Sequence, residues 1–434
     1  MPASAKKLLN VMDQGGISLR LKRYAETTST VGGLMARLFG EKYLGISMDH
    51  GGYAGLLKSN MGNLKGPVMK IAQILAMVPD MLPQEYAEEF LTLQSNAPAM
   101  GWLFVKRRMK AELGPDWENL FQAFTHEATA AASLGQVHKV RNLEGRDLAC
   151  KLQYPDMASA VNADLAQLKL FLNLYAKTSG AIDPQNLYLE IAERLHEELD
   201  YKREADHIRL FRAIFEGQNF VHVPEVIPEL STSRLLTMSW MPGQKLLEFK
   251  DAPQEIRNKI CENLFRVWYF PFYKEGVLHG DPHLGNYTVR EDLSLNLLDY
   301  GCIRLFPKSF IASVIQLYHA LQNNDEELAR NAYESWGFGT MTPELLTILN
   351  LWASYLYGPL LDDRIRPIDE SLSGQNGRKI AGEILSELKK IGGVRPPREF
   401  VFMDRAAVAL GSVFIHLKAE LNWHRLYEEL ISSS

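Results

Sequence analysis

From His279 to Arg304 the sequence cannot be helix, although nearly everything after Ala252 is patterned for one. Gly280, Pro282 and Gly285 interrupt the stretch His279-Gly280-Asp281-Pro282-His283-Leu284-Gly285-Asn286, adding backbone freedom or removing a donor. Two short apolar runs follow, Tyr287 to Val289 and Leu295 to Leu298, and the second ends on Asp299-Tyr300-Gly301. A strand-and-loop island inside a helical half therefore carries the densest group of Asp, Asn and His. These residues also make ordinary turns. A single such stretch would be no more than that. Two spaced elements, Asn286 five residues after Asp281 and Asp299 eighteen after it, argue against the turn reading.

The set suits phosphoryl transfer, in which one carboxylate orients the attacking oxygen while an Asn and a second Asp hold Mg²⁺ against the phosphates. The step from Asp281 to Asn286 is that of the protein-kinase catalytic loop. Asp299 precedes Tyr-Gly as the kinase metal-binding Asp precedes Phe-Gly. His279 and His283 stand at i and i+4, but Pro282 and Gly280 deny them the helix a paired metal site needs. His279 is expected to be structural, and His283 to orient Asp281.

Upstream, Leu148-Ala149-Cys150-Lys151 resembles the kinase V-A-I-K, in which a strand-end lysine reaches the α- and β-phosphates. Its position after a Gly-containing turn raises it above a surface lysine. An orienting carboxylate must come from a helix expected over residues 190–215, which offers Glu197, Glu198, Asp200 and Glu204; a helix this charged otherwise reads as a solvated face. Ala130-Ala131-Ala132-Ser133 occupies the place of the Gly-rich phosphate loop. Alanine bars most φ > 0 conformations, so this loop should be stiffer, with its N–H groups and Ser133 still open to phosphate oxygens.

Together these elements resemble the UbiB family of atypical kinases, also called aarF-domain-containing kinases. Its A-A-A-S-x-G-Q-V-H, H-G-D-P-H-x-G-N, D-x-G and E-x-D elements all stand here, the last as Glu198-Leu199-Asp200. Leu421-Asn422-Trp423-His424 also looks familial. The likeness runs from about Gly62 to the end. The family's K-x-G-Q is Lys70-Ile71-Ala72-Gln73, with an added methyl at Ala72. The resemblance implies that this helix lies across the active site, with Lys70 and Gln73 lining the pocket beside Glu198 and Asp200. Without it, both would pass as helix-surface residues.

The expected fold is α+β, a protein-kinase-like two-lobed fold with an N-terminal helical extension. Residues 1–45 read as a mobile arm, 46–113 as the extension, 114–243 as an N-lobe with inserted helices, and 244–434 as a helical C-lobe. Strands are expected near 120–124, 136–140 and 148–152, and a strand pair over 221–226 and 235–238. Helices are expected over 104–113 and 157–176. Asp281 is the expected catalytic base, Lys151 the phosphate ligand, Glu204 its orienting partner, and Asn286 and Asp299 the metal ligands. ATP and Mg²⁺ are the expected cofactors, with adenine on the backbone of Met238 to Trp240.

The resemblance implies support of ubiquinone or other isoprenoid-lipid metabolism by ATPase or unorthodox kinase activity, with water or a small lipid-like molecule as acceptor. Two other readings stand beside it. One is a small-molecule phosphotransferase of the aminoglycoside or choline kind, whose loop also reads H-G-D. The other is a nucleotide-gated scaffold, against which the complete set of Lys151, Asp281, Asn286 and Asp299 argues.

A net charge of −5 over 434 residues gives no global attraction to polyanions, so nucleic acid is not expected as a partner. Three cysteines without C-x-x-C spacing indicate neither a disulfide framework nor a zinc ribbon. Cys302 reads as a small buried hydrophobe rather than a reactive thiol. Neither a secretory signal nor a ~20-residue apolar span is visible, so a cytoplasmic protein with at most peripheral membrane contact is expected.

Overall fold

The computed structural model describes residue 71 and residues 99–132, 134–176, 184–369, 375–391 and 397–432. Lys70, Ala72, Gln73 and Ser133 lie outside these, as does the arm over 1–45. The chain forms two compact units, each drawn from three stretches: 1–115, 124–138 and 151–199 in one, and 116–123, 139–150 and 200–434 in the other.

In the first unit, α1 (Trp102–Leu113) stops at Gly114, whose φ of 91° suits glycine and whose N–H closes on Lys110 O. Leu134, Tyr154 and Met157 form a buried cluster, with Met100, Phe104, Ala160 and Leu199 packed against it. Helices α2 (Met157–Ala176) and α3 (Pro184–Glu197) pack on each other. The alanines expected in a loop are instead strand β2 (Ala130–Ala132), antiparallel to the start of β3 (Gly135–Asn142), with Ala131 opposite Gln136. Their Cβ atoms, which disfavour the left-handed region, are at home in an extended ladder.

Strands β1 (Phe121–Phe124), β3, β4 (Asp147–Gln153) and β6 (Leu235–Ser239) follow in that order in one sheet, with β2 also on β3. The β3–β4 turn forms as expected: Gly145, at φ 80°, donates to Asn142 O, and Asn142 Oδ1 accepts from the Arg146 N–H at 2.8 Å. Behind it, Asp147 pairs with Lys139 and Arg141 at 2.8 Å each, and bonds from Arg141 and then Lys139 hold its carboxyl down to about 2.

The single helix expected over 190–215 is interrupted. Helix α3 ends at Glu197, and α4 (Tyr201–Ile214) begins after Asp200, whose carboxylate accepts from the N–H groups of Lys202 and Arg203 at 3.1 Å each. An Asp offered to free amides starts a new helix more readily than it continues an old one. The expected pairing of 221–226 with 235–238 shrinks to one bridge, Val226 with Met238. Strand β5 (Val221–His222) instead runs parallel to β10 (Leu295–Leu297), in a sheet ordered β5-β10-β9-β7 with β9 (Tyr287–Val289) and β7 (Gln244–Lys245).

The rest of the second unit is mainly helical. Helix α5 (Gln254–Glu275) ends at Gly276, where φ is 68° and a Cβ would stand 2.4 Å from Phe306 O. There follow β8 (Val277–His279), β11 (Ile303–Leu305), α6 (Lys308–Asn323), α7 (Glu326–Trp336), α8 (Pro343–Tyr357), α9 (Gln375–Lys390), α10 (Arg398–Leu417) and α11 (Trp423–Ser432). Strand β8 pairs antiparallel with β11. Trp268, Tyr318, Trp423 and Tyr427 are fully buried. Among the described residues no helix is long and apolar enough to cross a membrane.

Candidate active site

The second unit assembles the loop residues around one imidazole. His279, at the end of β8, is 2% exposed. Its Nε2–H donates to Asp299 O at 2.8 Å, and its Nδ1 accepts from the Asp281 N–H at 3.3 Å. A carbonyl on one side and an amide on the other fix the tautomer. His279 is structural, as its setting implied, and it joins the two loops eighteen residues apart.

Five residues after Asp281, the Asn286 amide reaches back, its Nδ2 donating to Asp281 O at 2.9 Å. Asn286 O accepts from the Leu298 N–H at 2.9 Å, tying this loop to the strand that delivers Asp299. Asp281, Asn286 and Asp299 are thus brought together, all half-buried. Burial, then the charges of Asp281 and Asp299, push the Tyr287 hydroxyl up, so both carboxylates act on that one phenol. His283 is exposed, and its Nδ1 accepts from the Gly285 N–H at 3.0 Å, closing the turn before Asn286.

Glycine is required at the centre of this loop. A Cβ on Gly280 would meet Cys302 Sγ at 2.8 Å, and Gly280 N–H donates to Cys302 O at 2.7 Å. Cys302 is buried, in keeping with its reading as a small hydrophobe. Cys150 is buried too, beside Thr237 Oγ1 at 3.4 Å, with its thiol pushed up by burial to about 12.

Sequence reasoning missed the residues that hold the segment after Asp299. Tyr300 is fully buried, its hydroxyl donating to Leu297 O at 2.9 Å and its ring edge-on to Phe211 of α4 at 5.4 Å. Its carbonyl accepts from His207 Nδ1–H at 2.9 Å. Glu204 is 2% exposed on the same helix, and its charge contributes to the upward shift of Tyr300, after burial and Asp299. The faint signal for His207 was its place one turn beyond Glu204 on a charged helix. Asn296 was missed as well: its Nδ2 donates to Pro242 O at 2.8 Å and Thr288 Oγ1 at 2.9 Å, docking the Met241-Pro242-Gly243 breaker on the β9–β10 hairpin.

Met238 is buried in β6, and Trp240 lies just beyond it, its ring 5.1 Å from Lys139 Nζ. The Ser239 N–H donates to Glu225 O at 2.8 Å and the Trp240 N–H to Asp147 O at 3.1 Å. Within the backbone expected to meet adenine, the N–H groups of Ser239 and Trp240 are therefore already engaged.

In the first unit, Lys151 stands half-buried on β4. Two residues on, Gln153 O accepts from Arg108 Nε at 3.1 Å, and Gln153 Nε2 donates to Leu199 O at 3.0 Å. The E-x-D stretch is thereby moored to α1 and to the end of the lysine strand. Glu198 is half-buried, whereas Asp200 is exposed and occupied with capping α4.

The residues fit a phosphate-bound divalent ion. Mg²⁺ takes few protein ligands and completes its octahedron with phosphate and water. No group of three or more His, Cys, Asp or Glu among the described residues can hold a metal unaided. Asp299 with the Asn286 Oδ1, whose amide orientation is set by Asp281 O, would supply the protein share, and the buried Tyr287 hydroxyl, on which both carboxylates act, has no hydrogen-bond partner among the described residues.

Residues 92–333 match the ABC1 atypical kinase-like domain. The chain belongs to that family. The ABC1 match covers the alanine strand, Lys151, the E-x-D stretch and both loops, and it agrees with the UbiB likeness of the motifs. Relatives include the Arabidopsis thaliana chloroplastic protein Activity of bc1 complex kinase 7, 30% identical over 63% of this chain and 40% of that protein. Another is the Saccharomyces cerevisiae mitochondrial atypical kinase COQ8, 30% identical over 59% of this chain and 51% of that protein. The chain thus spans about half the length of the curated relatives it matches. Among solved structures, Rv3197 of Mycobacterium tuberculosis in complex with erythromycin aligns with a TM-score of 0.63 at 25% identity, covering 87% of this chain and 95% of that one. The fold of this ABC1-family chain is kinase-like, mixed α+β.

Proposed function

We propose that this chain is an ATP- and Mg²⁺-dependent atypical kinase or ATPase that supports ubiquinone or other isoprenoid-lipid metabolism. The observation that carries the reading is that the buried His279 ties the backbones of Asp281 and Asp299 together, with Asn286 bonded to Asp281 O. Nothing in a merely structural turn calls for two carboxylates whose charges both bear on one buried phenol, Tyr287, since like charges repel.

In this reading Asp281 accepts the proton of the attacking oxygen, and Asn286 and Asp299 hold Mg²⁺ against the phosphates. The ion would neutralise charge on the phosphoryl oxygens. Lys151 serves as the phosphate-binding cation with Glu204 as its orienting carboxylate, and the alanine strand with Ser133 offers backbone donors. Lys70, Gln73, Glu198 and Asp200 shape the acceptor side. The acceptor is water or a small lipid-like molecule, and contact with membranes is peripheral.

The test is phosphate release from Mg-ATP by the purified chain, alone and with lipid extract, quinone-precursor mimics or erythromycin. Turnover should require Mg²⁺ and rise with at least one isoprenoid-like additive. Asp299→Asn should lose Mg²⁺-dependent nucleotide binding by roughly tenfold or more, since a charge-assisted contact is removed. A wild type that neither binds nor hydrolyses Mg-ATP would sink the proposal, and an Asp299→Asn variant binding Mg-ATP normally would remove the metal assignment.

A further inference from the structure

The alanine strand is backed by side chains for which neither the loop chemistry nor the proposed function has a use. Gln136 lies opposite Ala131 in the β2–β3 ladder and is fully buried. Its Oε1 accepts from the Met100 N–H at 2.7 Å, and its Nε2 donates to Met100 O at 3.1 Å. One carboxamide thus clasps both polar atoms of a single backbone residue just ahead of α1. The second N–H of the same Nε2 donates to His138 Nε2 at 2.8 Å. His138, also fully buried, donates from Nδ1–H to Thr125 O at 2.8 Å. A carbonyl on Nδ1 forces the proton there and leaves Nε2 as an acceptor.

Every donor and acceptor in this relay is used once, which makes it intolerant of one more proton. A proton on His138 Nε2 would face the Gln136 NH₂ group, donor against donor. Turning the Gln136 amide over would satisfy His138, but it would set Oε1 against Met100 O and NH₂ against Met100 N–H. Protonated His138 and the Met100 clasp therefore exclude each other.

We infer that Gln136 is a positioning residue that fixes the alanine strand to the backbone at Met100, and that the clasp holds only while His138 is neutral. Its consequence for nucleotide binding rests on the function proposed above; the clasp itself does not. Burial lowers the pKa of His138 from 6.5, opposed by its bond to Thr125. The sign follows: with the folded pKa below 6.5, the clasp is intact at neutral pH and is lost only as pH falls through that lowered pKa. Around His138 stand Phe124 at 5.5 Å and Thr125 from the segment after β1, and Gln136 on its own strand. The charged or titratable groups on these elements are the exposed His126 and Glu127, Lys139 and Arg141 paired with Asp147, the exposed Lys106, Arg107 and Lys110 of α1, and Arg108, engaged by Gln153 and Glu112.

Amide exchange of the full chain, read as protection factors at Met100 and at Ala130–Ala132 from pH 8 down through the acid range in which the chain stays folded, tests this without nucleotide. In the wild type, protection at Met100 should fall by roughly tenfold across that range, the worth of about one hydrogen bond, with the alanine amides following. His138→Gln keeps an acceptor toward Gln136 that takes no proton, so its protection should stay level with pH. Gln136→Glu sets an oxygen against Met100 O and so weakens the clasp at pH 8, but its carboxylate gains a bond from a protonated His138. Its protection at Met100, lower than the wild type's at pH 8, should therefore rise as pH falls. A reversal of this kind cannot come from loosened packing alone. PH-independent protection at Met100 in a folded wild type, or identical profiles for the wild type and His138→Gln, would overturn the inference. If the exchange behaves as expected but Mg-ATP affinity is the same at both ends of that range, the clasp stands and its tie to the nucleotide falls.

Discussion

At Gly280 a side chain would stand 2.8 Å from Cys302 Sγ and 3.3 Å from Cys302 O, closer than ordinary contact. Gly280→Ala should therefore push Asp281 off its place beside His279. The cost to stability should be about 1–3 kcal/mol, as for other overpacked sites. Turnover should suffer more, by on the order of 10–100-fold, because reacting groups tolerate little misplacement. Cys302→Ala removes the sulfur but not the carbonyl, so the double variant should recover part of both losses. A four-member cycle of thermal unfolding and ATP turnover measures the coupling. Full activity in Gly280→Ala alone would show that the loop does not depend on this approach.

Among the elements, α4 turns on one residue outside it. Asp200 holds two N–H groups at the start of the helix that carries Glu204 and His207. Asp200→Ala should cost about 1 kcal/mol by thermal unfolding, the worth of an N-cap, and Asp200→Asn much less. Equal losses for both would point to the charge of Asp200 rather than to capping. Here the limits of reading a sequence are plain. The Asp281 loop and the Asp299 loop stood out because Pro, Gly, Asp and Asn break regular structure and favour turns. The strand near 148–152 was legible from its turn. The break at Asp200 was not, since apolar spacing continues across it and a cap declares itself only through the amides it meets. The alanines misled because absent glycine was read as a stiff loop, whereas the partners opposite them make a ladder. His207 and Asn296 were invisible because their roles depend on carbonyls distant in the chain.

For the molecule as a whole, the C-terminal helix is an anchor rather than an appendage. Trp423 is fully buried against Phe414 and Phe265, at 4.8 and 5.8 Å, and its Nε1–H donates to Arg366 O at 2.9 Å. Trp423→Ala should cost about 3–5 kcal/mol. Glu429 meets Arg266 by two 2.8 Å bonds, but it is 56% exposed, so Glu429→Gln should cost under about 1 kcal/mol. Denaturant melts of the two variants check the contrast, and similar losses would mean that α11 is held by charge. The interleaving of the two units bears on how the protein is made. The chain passes between them at residues 116, 124, 139, 151 and 200. A ribosome that has released the first 199 residues has delivered all of one unit but only two short stretches of the other, 116–123 and 139–150. Those stretches include most of β1 and the β3–β4 turn, whose strands pair with one another, but β6, the other neighbour of β4, is not yet synthesised. During that interval the outer edge of β4 is open to the wrong neighbour, so slowing translation between residues 200 and 239 should lower the yield of folded chain.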